Sequence, residues 1–149
     1  HLAIQDERGC VIGTKRGIHE PEYPFPDDFD AGSHVARGSL LAPLANQNFI
    51  ATTSNMVFRR SLHARIGGFR EYRYTHDWDF ALRAAVLGRC VMLPHPLTVY
   101  RVHGSNTIRE SETATRDEVR RLFRIFVADF PDAVRDPEVI RVYLGDDAC

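Results

Sequence analysis

Lysine is almost missing from this chain: Lys15 is the only one among 19 basic residues, and arginine carries the rest of the positive charge. Arginine stays charged when buried and grips carboxylates or phosphates with two donors, although genomic base composition produces the same bias. Cysteine is also sparse. Cys10, Cys90 and Cys149 stand far apart with no paired spacing, which argues against a disulfide framework or a cysteine-rich zinc site and favours a reducing, cytoplasmic setting. No apolar run approaches the roughly 18 residues of a membrane span, and no signal-peptide pattern opens the chain. A net charge of -1 gives no electrostatic footprint for a general nucleic-acid binder. There is no internal repeat. The chain opens without Met, inside what reads as a strand, so the expectation is a piece of a longer protein.

What remains is ordinary globular composition, 44% apolar and 26% charged over 149 residues, enough for one domain with a real core. Residues 1–12 read as two short strands joined at Arg8-Gly9. Residues 19–34 are rich in Pro and Asp and predict an irregular loop. Leu40, Leu41 and Leu44 suggest a short helix, residues 48–58 a strand interrupted near Ser54-Asn55, and Ser61 the cap of a helix that Gly67-Gly68 ends. A stronger helix follows, capped by Asp77 and closed by Gly88. Trp78, Ala81, Leu82 and Ala85 make one face, and Phe80, Ala84 and Leu87 a second, so this helix should be largely buried.

Arg89–Leu93 and Leu97–His103 read as strands. In the latter Leu97, Val99, Arg101 and His103 alternate onto one face that turns from apolar to cationic, as a strand leading from core to cleft would. In the tail, Thr115 and Glu118 have capping-box spacing. Val119, Leu122, Phe123, Phe126, Val127 and Phe130 then form an apolar stripe that Pro131 ends. Arg120, Arg121 and Arg124 allow that helix to lie on a membrane surface, but the acidic Asp117, Glu118 and Asp129 beside them favour packing on the domain. A further short helix is expected from Asp136-Pro137-Glu138 to Gly145.

Four stretches then occur in one order: NFIATTSNMVFRRS from Asn48, IGGFRE from Ile66, HDWDFALRAAVLG from His76, and PLTVYRVHGSNT from Pro96. Together they resemble the second half of the GT-A domain of inverting family-2 glycosyltransferases. That family shows an Asn-Phe-Ile run with a Ser/Asn turn, Arg-Arg at a helix start, and a Gly-Gly-Phe turn. An acidic motif on a buried helix and a Tyr-Arg-x-His segment follow. The resemblance covers residues 1–108; the helical tail, 109–149, adds nothing to it. It implies an α/β fold, a partial GT-A-like mixed sheet with packed helices.

The resemblance also implies transfer of a sugar from a nucleotide-sugar to the hydroxyl of a glycan or other acceptor, with inversion. A divalent metal, Mn or Mg, is implied for the full-length protein. The family's nucleotide-binding half, with its uridine-site aspartate and DxD metal motif, lies upstream of the matching region. Asp77-Trp78-Asp79 spells DxD in the wrong place. The chain alone is therefore expected to need that missing half, and to be inactive without it.

In this family the second residue of the acidic motif is the general base, a position that maps to Asp77. A carboxylate at a helix start facing a cleft can take the acceptor's proton, and the same residue can serve simply as a cap. His76 stands where the family often has Glu, which touches acceptor contacts and leaves the base in place. Ser54 and Asn55 resemble the turn bordering the sugar pocket. Trp78 is a candidate for stacking on a sugar, although its helical spacing favours the core. The resemblance implies a donor-side place for Arg101 and His103, where arginine suits phosphate oxygens and imidazole suits Mn, making His103 a candidate metal ligand. Asp79, four residues before Arg83, suits a structural ion pair. His34, His63 and His95 follow no ligand spacing and read as surface residues.

Three readings compete. One is the transferase. Another is a non-catalytic binding or assembly module built on the same fold, in which exposed sheet edges and apolar faces dock a partner, a second copy of the chain included. The third, a hydrolase using Asp77, lacks a matching nucleophile or metal cluster.

Overall fold

The computed structural model describes residues 2–15, 40–93, 96–104 and 111–135, together with Pro137 and Val139. Within them the chain is mixed α/β, with a three-stranded mixed sheet and four α-helices. The expected loop over 19–34, His34, His95 and most of the helix expected from Asp136 lie outside the described residues.

Strands β1 (Leu2–Gln5) and β2 (Val11–Lys15) form an antiparallel hairpin, as their sequence suggests. The turn is built by Asp6, whose Oδ1 accepts the N–H groups of Arg8 at 2.9 Å and Cys10 at 2.8 Å. Gly9 supplies the left-handed backbone there, with φ of 84°. Strand β3 (Thr98–Arg101) pairs in parallel with β1, so β1 is central and the order is β2-β1-β3. Two strand expectations fail. Residues 48–58 contain no strand but a single 3₁₀ turn, Thr53–Asn55, because polar side chains there bond to nearby backbone instead of leaving it for a ladder. Arg89–Leu93 carries no strand beyond an isolated bridge at Met92.

The helices are α1 (Leu41–Asn46), α2 (Arg60–Ile66), α3 (His76–Leu87) and α4 (Glu112–Asp129). Ser61 lies inside α2, and Arg59 occupies the cap position. At the other end Gly67, with φ of 82°, accomplishes the left-handed stop expected of it. Helix α3 begins one residue before Asp77, with Thr75 at its cap and no side-chain capping bond. Asp77 and Asp79 instead sit in its first turn, where negative charge complements the helix dipole. Helix α4 is capped by Ser111, whose Oγ accepts the Ala114 N–H at 3.2 Å. The Thr115/Glu118 capping box does not form: Thr115 Oγ1 donates back to the Ser111 carbonyl, and Glu118 turns to another part of the chain.

One hydrophobic core joins α1, α3 and α4. Leu41, Leu44, Phe49, Tyr72, Trp78, Leu82, Leu122, Phe126 and Val139 are all buried within it. Leu82 and Leu122 have no exposed surface, and burying a side chain of this size contributes about 1.5–3 kcal/mol. The apolar stripe of α4 thus packs on the domain. Leu122 and Phe126 are buried, Val119, Phe123 and Phe130 half-buried, and Val127 exposed. No helix among the described residues is long and apolar enough to cross a membrane.

Candidate functional site at the start of α3

The segment after α1 folds over the beginning of α3. Phe49 is buried and anchors it. Asn48 Oδ1 accepts the Ala51 N–H at 3.2 Å and so holds Ala51 at a φ of 63°, a left-handed conformation that costs a non-glycine residue about 1–2 kcal/mol. The amide of the same Asn48 donates to Asp77 Oδ1 at 3.4 Å. One side chain therefore stabilises a strained turn and reaches the candidate base. Further along, Asn55 Nδ2 donates to the Ile50 carbonyl at 3.2 Å. Thr53 Oγ1 and His76 Nε2 lie 2.9 Å apart, with the ring tautomer setting which donates. Ser54 is exposed on this turn and Asn55 half-buried.

Asp77 is buried, 5% exposed. The Trp78 N–H, at 2.7 Å, and the Asn48 amide both reach Oδ1. Among the described residues no hydrogen bond engages Oδ2. One oxygen is thus held by two hydrogen bonds, and the other by none among the described residues. Trp78 belongs to the core: its Nε1–H donates to the Leu44 carbonyl at 2.6 Å and its ring meets Phe123 edge to face at 5.2 Å. It offers no open face to a sugar.

Asp79 forms the ion pair with Arg83 that the spacing suggests. Both are buried, and the site is larger than an i,i+4 pair. Arg83 also donates to the carbonyls of Ile66 and Gly68, at 2.9 Å each, and so ties the end of α2 to α3. On its other side Asp79 meets Arg70 at 3.3 Å, and Arg70 in turn pairs with Asp129 near the end of α4. Burial opposes the charge on Arg70, but Asp129 and Asp79 outweigh it and raise the guanidinium above its ordinary value.

A second brace comes from Glu118. Its carboxylate accepts the backbone N–H groups of Arg73, Tyr74 and Thr75, at 2.9, 2.6 and 2.7 Å. Partial burial would raise its pKa, but these N–H groups and the Thr75 hydroxyl prevail and hold it below the usual carboxylate range. Nearby, His63 is half-buried within an aromatic group rather than on the surface as expected, stacked on Phe58 at 5.9 Å. Phe69 stacks on Phe80 at 4.4 Å and meets His76 edge-on at 6.2 Å.

The end of β3 is built differently. Leu97, Val99, Arg101 and His103 are all exposed, so the face read as running from core to cleft is open along its length. His103 borders a depression lined also by Asp6, Glu7, Arg8, Ile12, Val102 and Gly104. Asn55, His76 and Asp77 do not line it. The Asp6 carboxylate is engaged by its own turn. Among the described residues no group of three or more His, Cys, Asp or Glu side chains is placed to hold a metal ion.

Asn48 and Glu118 were missed as site residues. The first had a signal, since it opens the Asn-Phe-Ile run; the second had none, because it acts on residues 43 to 45 positions earlier. Comparison with protein-family models, with curated proteins and with solved structures gives no match.

Proposed function

We propose that this chain carries the acceptor-side part of an inverting glycosyltransferase domain of the family-2 type, with Asp77 as the general base. The observation that supports this best is the meeting of two of the family-like stretches. The segment opening at Asn48 and the acidic motif at His76 join through Asn48–Asp77 and Thr53–His76, pairs 29 and 23 residues apart. A base of this kind must hold one carboxylate oxygen in place and present the other to the acceptor hydroxyl. The hydrogen bonds to Oδ1 suit that task.

In this reading Asn48 orients Asp77, while His76, Ser54 and Asn55 lie on the acceptor and sugar side. Trp78 supports the helix from the core. Arg101 and His103 remain donor-side candidates on their own face. A divalent metal would neutralise the departing diphosphate, but His103 alone does not make a metal site. Among the described residues it stands in no group of three or more His, Cys, Asp or Glu side chains that could hold the ion.

The test is sugar transfer by the full-length protein, assayed across nucleotide-sugar donors, for wild type and Asp77→Asn. Asn preserves shape and the acceptor oxygen for the Trp78 N–H, but cannot take a proton. A fall of about 10²–10⁴-fold in turnover with donor affinity unchanged is expected. Near-normal turnover would remove Asp77 from the chemistry.

A further inference from the structure

We infer that Glu118 is a positioning residue for Asp77: from α4 it gathers the backbone N–H groups leading into α3 and thereby sets where that helix starts and how Asp77 is presented. The inference rests on the proposed function only for the role of Asp77. Its geometry stands alone. Oε1 of Glu118 accepts from the N–H of Tyr74 at 2.6 Å, the N–H of Thr75 at 2.7 Å and the Thr75 hydroxyl at 3.0 Å, while Oε2 accepts from the Arg73 N–H at 2.9 Å. Hydrogen bonds to an ionised acceptor are shorter and stronger than neutral ones.

Thr75, at the cap position, makes no side-chain bond to its own helix; its hydroxyl is committed to Glu118. The start of α3 is therefore held from another helix. Asp77 follows two residues later, and each residue of helix turns a side chain by about 100°, so a small slip at the start would redirect the carboxylate. The holding arm is firm. Glu118, Leu122 and Phe126 are spaced four apart on one face of α4, and the latter two are buried in the core. A carboxylate thus stands where the apolar stripe meets the α3 entrance.

A simpler role, fastening of residues 73–75 and nothing more, predicts different spectra. In the 149-residue chain, Glu118→Gln keeps one acceptor oxygen but sets an amide N–H₂ against the Arg73 N–H. Amide hydrogen exchange at Arg73, Tyr74 and Thr75 should rise roughly 10–100-fold. The side-chain amide resonances of Asn48, which bonds to Asp77 and not to Glu118, should move as well. Thr75→Val removes a single hydrogen bond and should shift the Asn48 signals in the same direction by less. If Glu118→Gln does not fold, this milder variant carries the test. Faster exchange with unmoved Asn48 signals would reduce Glu118 to a fastener, and unchanged exchange would remove even that. Neither readout needs a substrate, so such a failure leaves the transferase reading to stand or fall on the turnover of Asp77→Asn.

Discussion

The two places where the sequence concentrates chemistry are built in opposite ways. At the start of α3, the helix that carries the candidate base is held by contacts from four separate stretches, of which the turn after α1 reaches Asp77 itself through Asn48; the end of α2 is tied through Arg83, the Arg70–Thr75 segment through Asp79, and α4 through Glu118 to Thr75. At the end of β3, Arg101 and, just beyond the strand, His103 are exposed. A group that must hold a fixed angle to a reacting hydroxyl benefits from bracing on every side. A group that contacts a mobile phosphate can take its final geometry from the ligand. The contrast supports assigning chemistry to Asp77 and, at most, ligand contact to His103.

The largest effect that would break this contrast is on turnover. Asp77→Asn in the full-length protein should lose about 10²–10⁴-fold in rate while the thermal transition moves little, since the amide retains the shape and an acceptor oxygen. A rate loss at His103 equal to that at Asp77 would erase the distinction between the two regions.

Stability gives the next test. Arg83→Met leaves Asp79, 1% exposed, facing Arg70 alone, and strands the carbonyls of Ile66 and Gly68. Removing one partner of a buried pair costs about 3–5 kcal/mol. His103→Ala should cost markedly less, because the side chain is exposed. Urea unfolding of both variants measures the difference, and comparable losses would contradict the difference in burial between Arg83 and His103.

How much of this was legible in the sequence depends on how far each signal travels. Hydrophobic period is local, so the β1–β2 hairpin, α1, α3 and the stripe of α4 could be read from spacing, whereas the expected N-terminal caps, Ser61, Asp77 and the Thr115–Glu118 box, are replaced by Arg59, Thr75 and Ser111. The Asp79–Arg83 pair lies within one helical turn and could be read too. The segment from Asn48 to Phe58 misled because its apolar and β-branched residues suit a strand. Its side-chain amides bond to Ala51 and Ile50 instead, and make a turn. The β3 face misled because alternation tells which residues share a face, not whether anything covers it. Glu118 had the spacing of a capping box with Thr115, and the local rule lost to three backbone N–H groups from the α3 entrance.

A smaller loss is expected at Leu122→Ala, about 2–5 kcal/mol, with the wide range reflecting how far α1 and α3 can close on the gap. The size of the loss bears on the comparison, because α4 braces α3 from this residue's face. If Leu122→Ala also moves the Asn48 side-chain signals, the brace depends on α4 as a whole. Unfolding by urea with an unchanged slope would place the loss in the folded core.

The smallest effect concerns pH, and its sign is determined by the direction of the shift. The folded state lowers the Glu118 pKa from its ordinary value of 4.5, because the N–H groups of Arg73, Tyr74 and Thr75 favour the ionised form more than partial burial opposes it. The folded state therefore holds this proton less tightly than the unfolded one does. Its contribution to stability is fully present above the unfolded value near 4.5 and is lost as pH falls through the lower folded value. Glu118→Gln has no such proton to bind. The stability gap between wild type and Glu118→Gln should thus be constant from neutral pH down to about 5, then narrow on further acidification. Because Glu118 is partly open to water, screening keeps the effect modest. A gap that stays level into strong acid would mean that the carboxylate's charge contributes nothing to the hold on α3, and that only the shape of the side chain does.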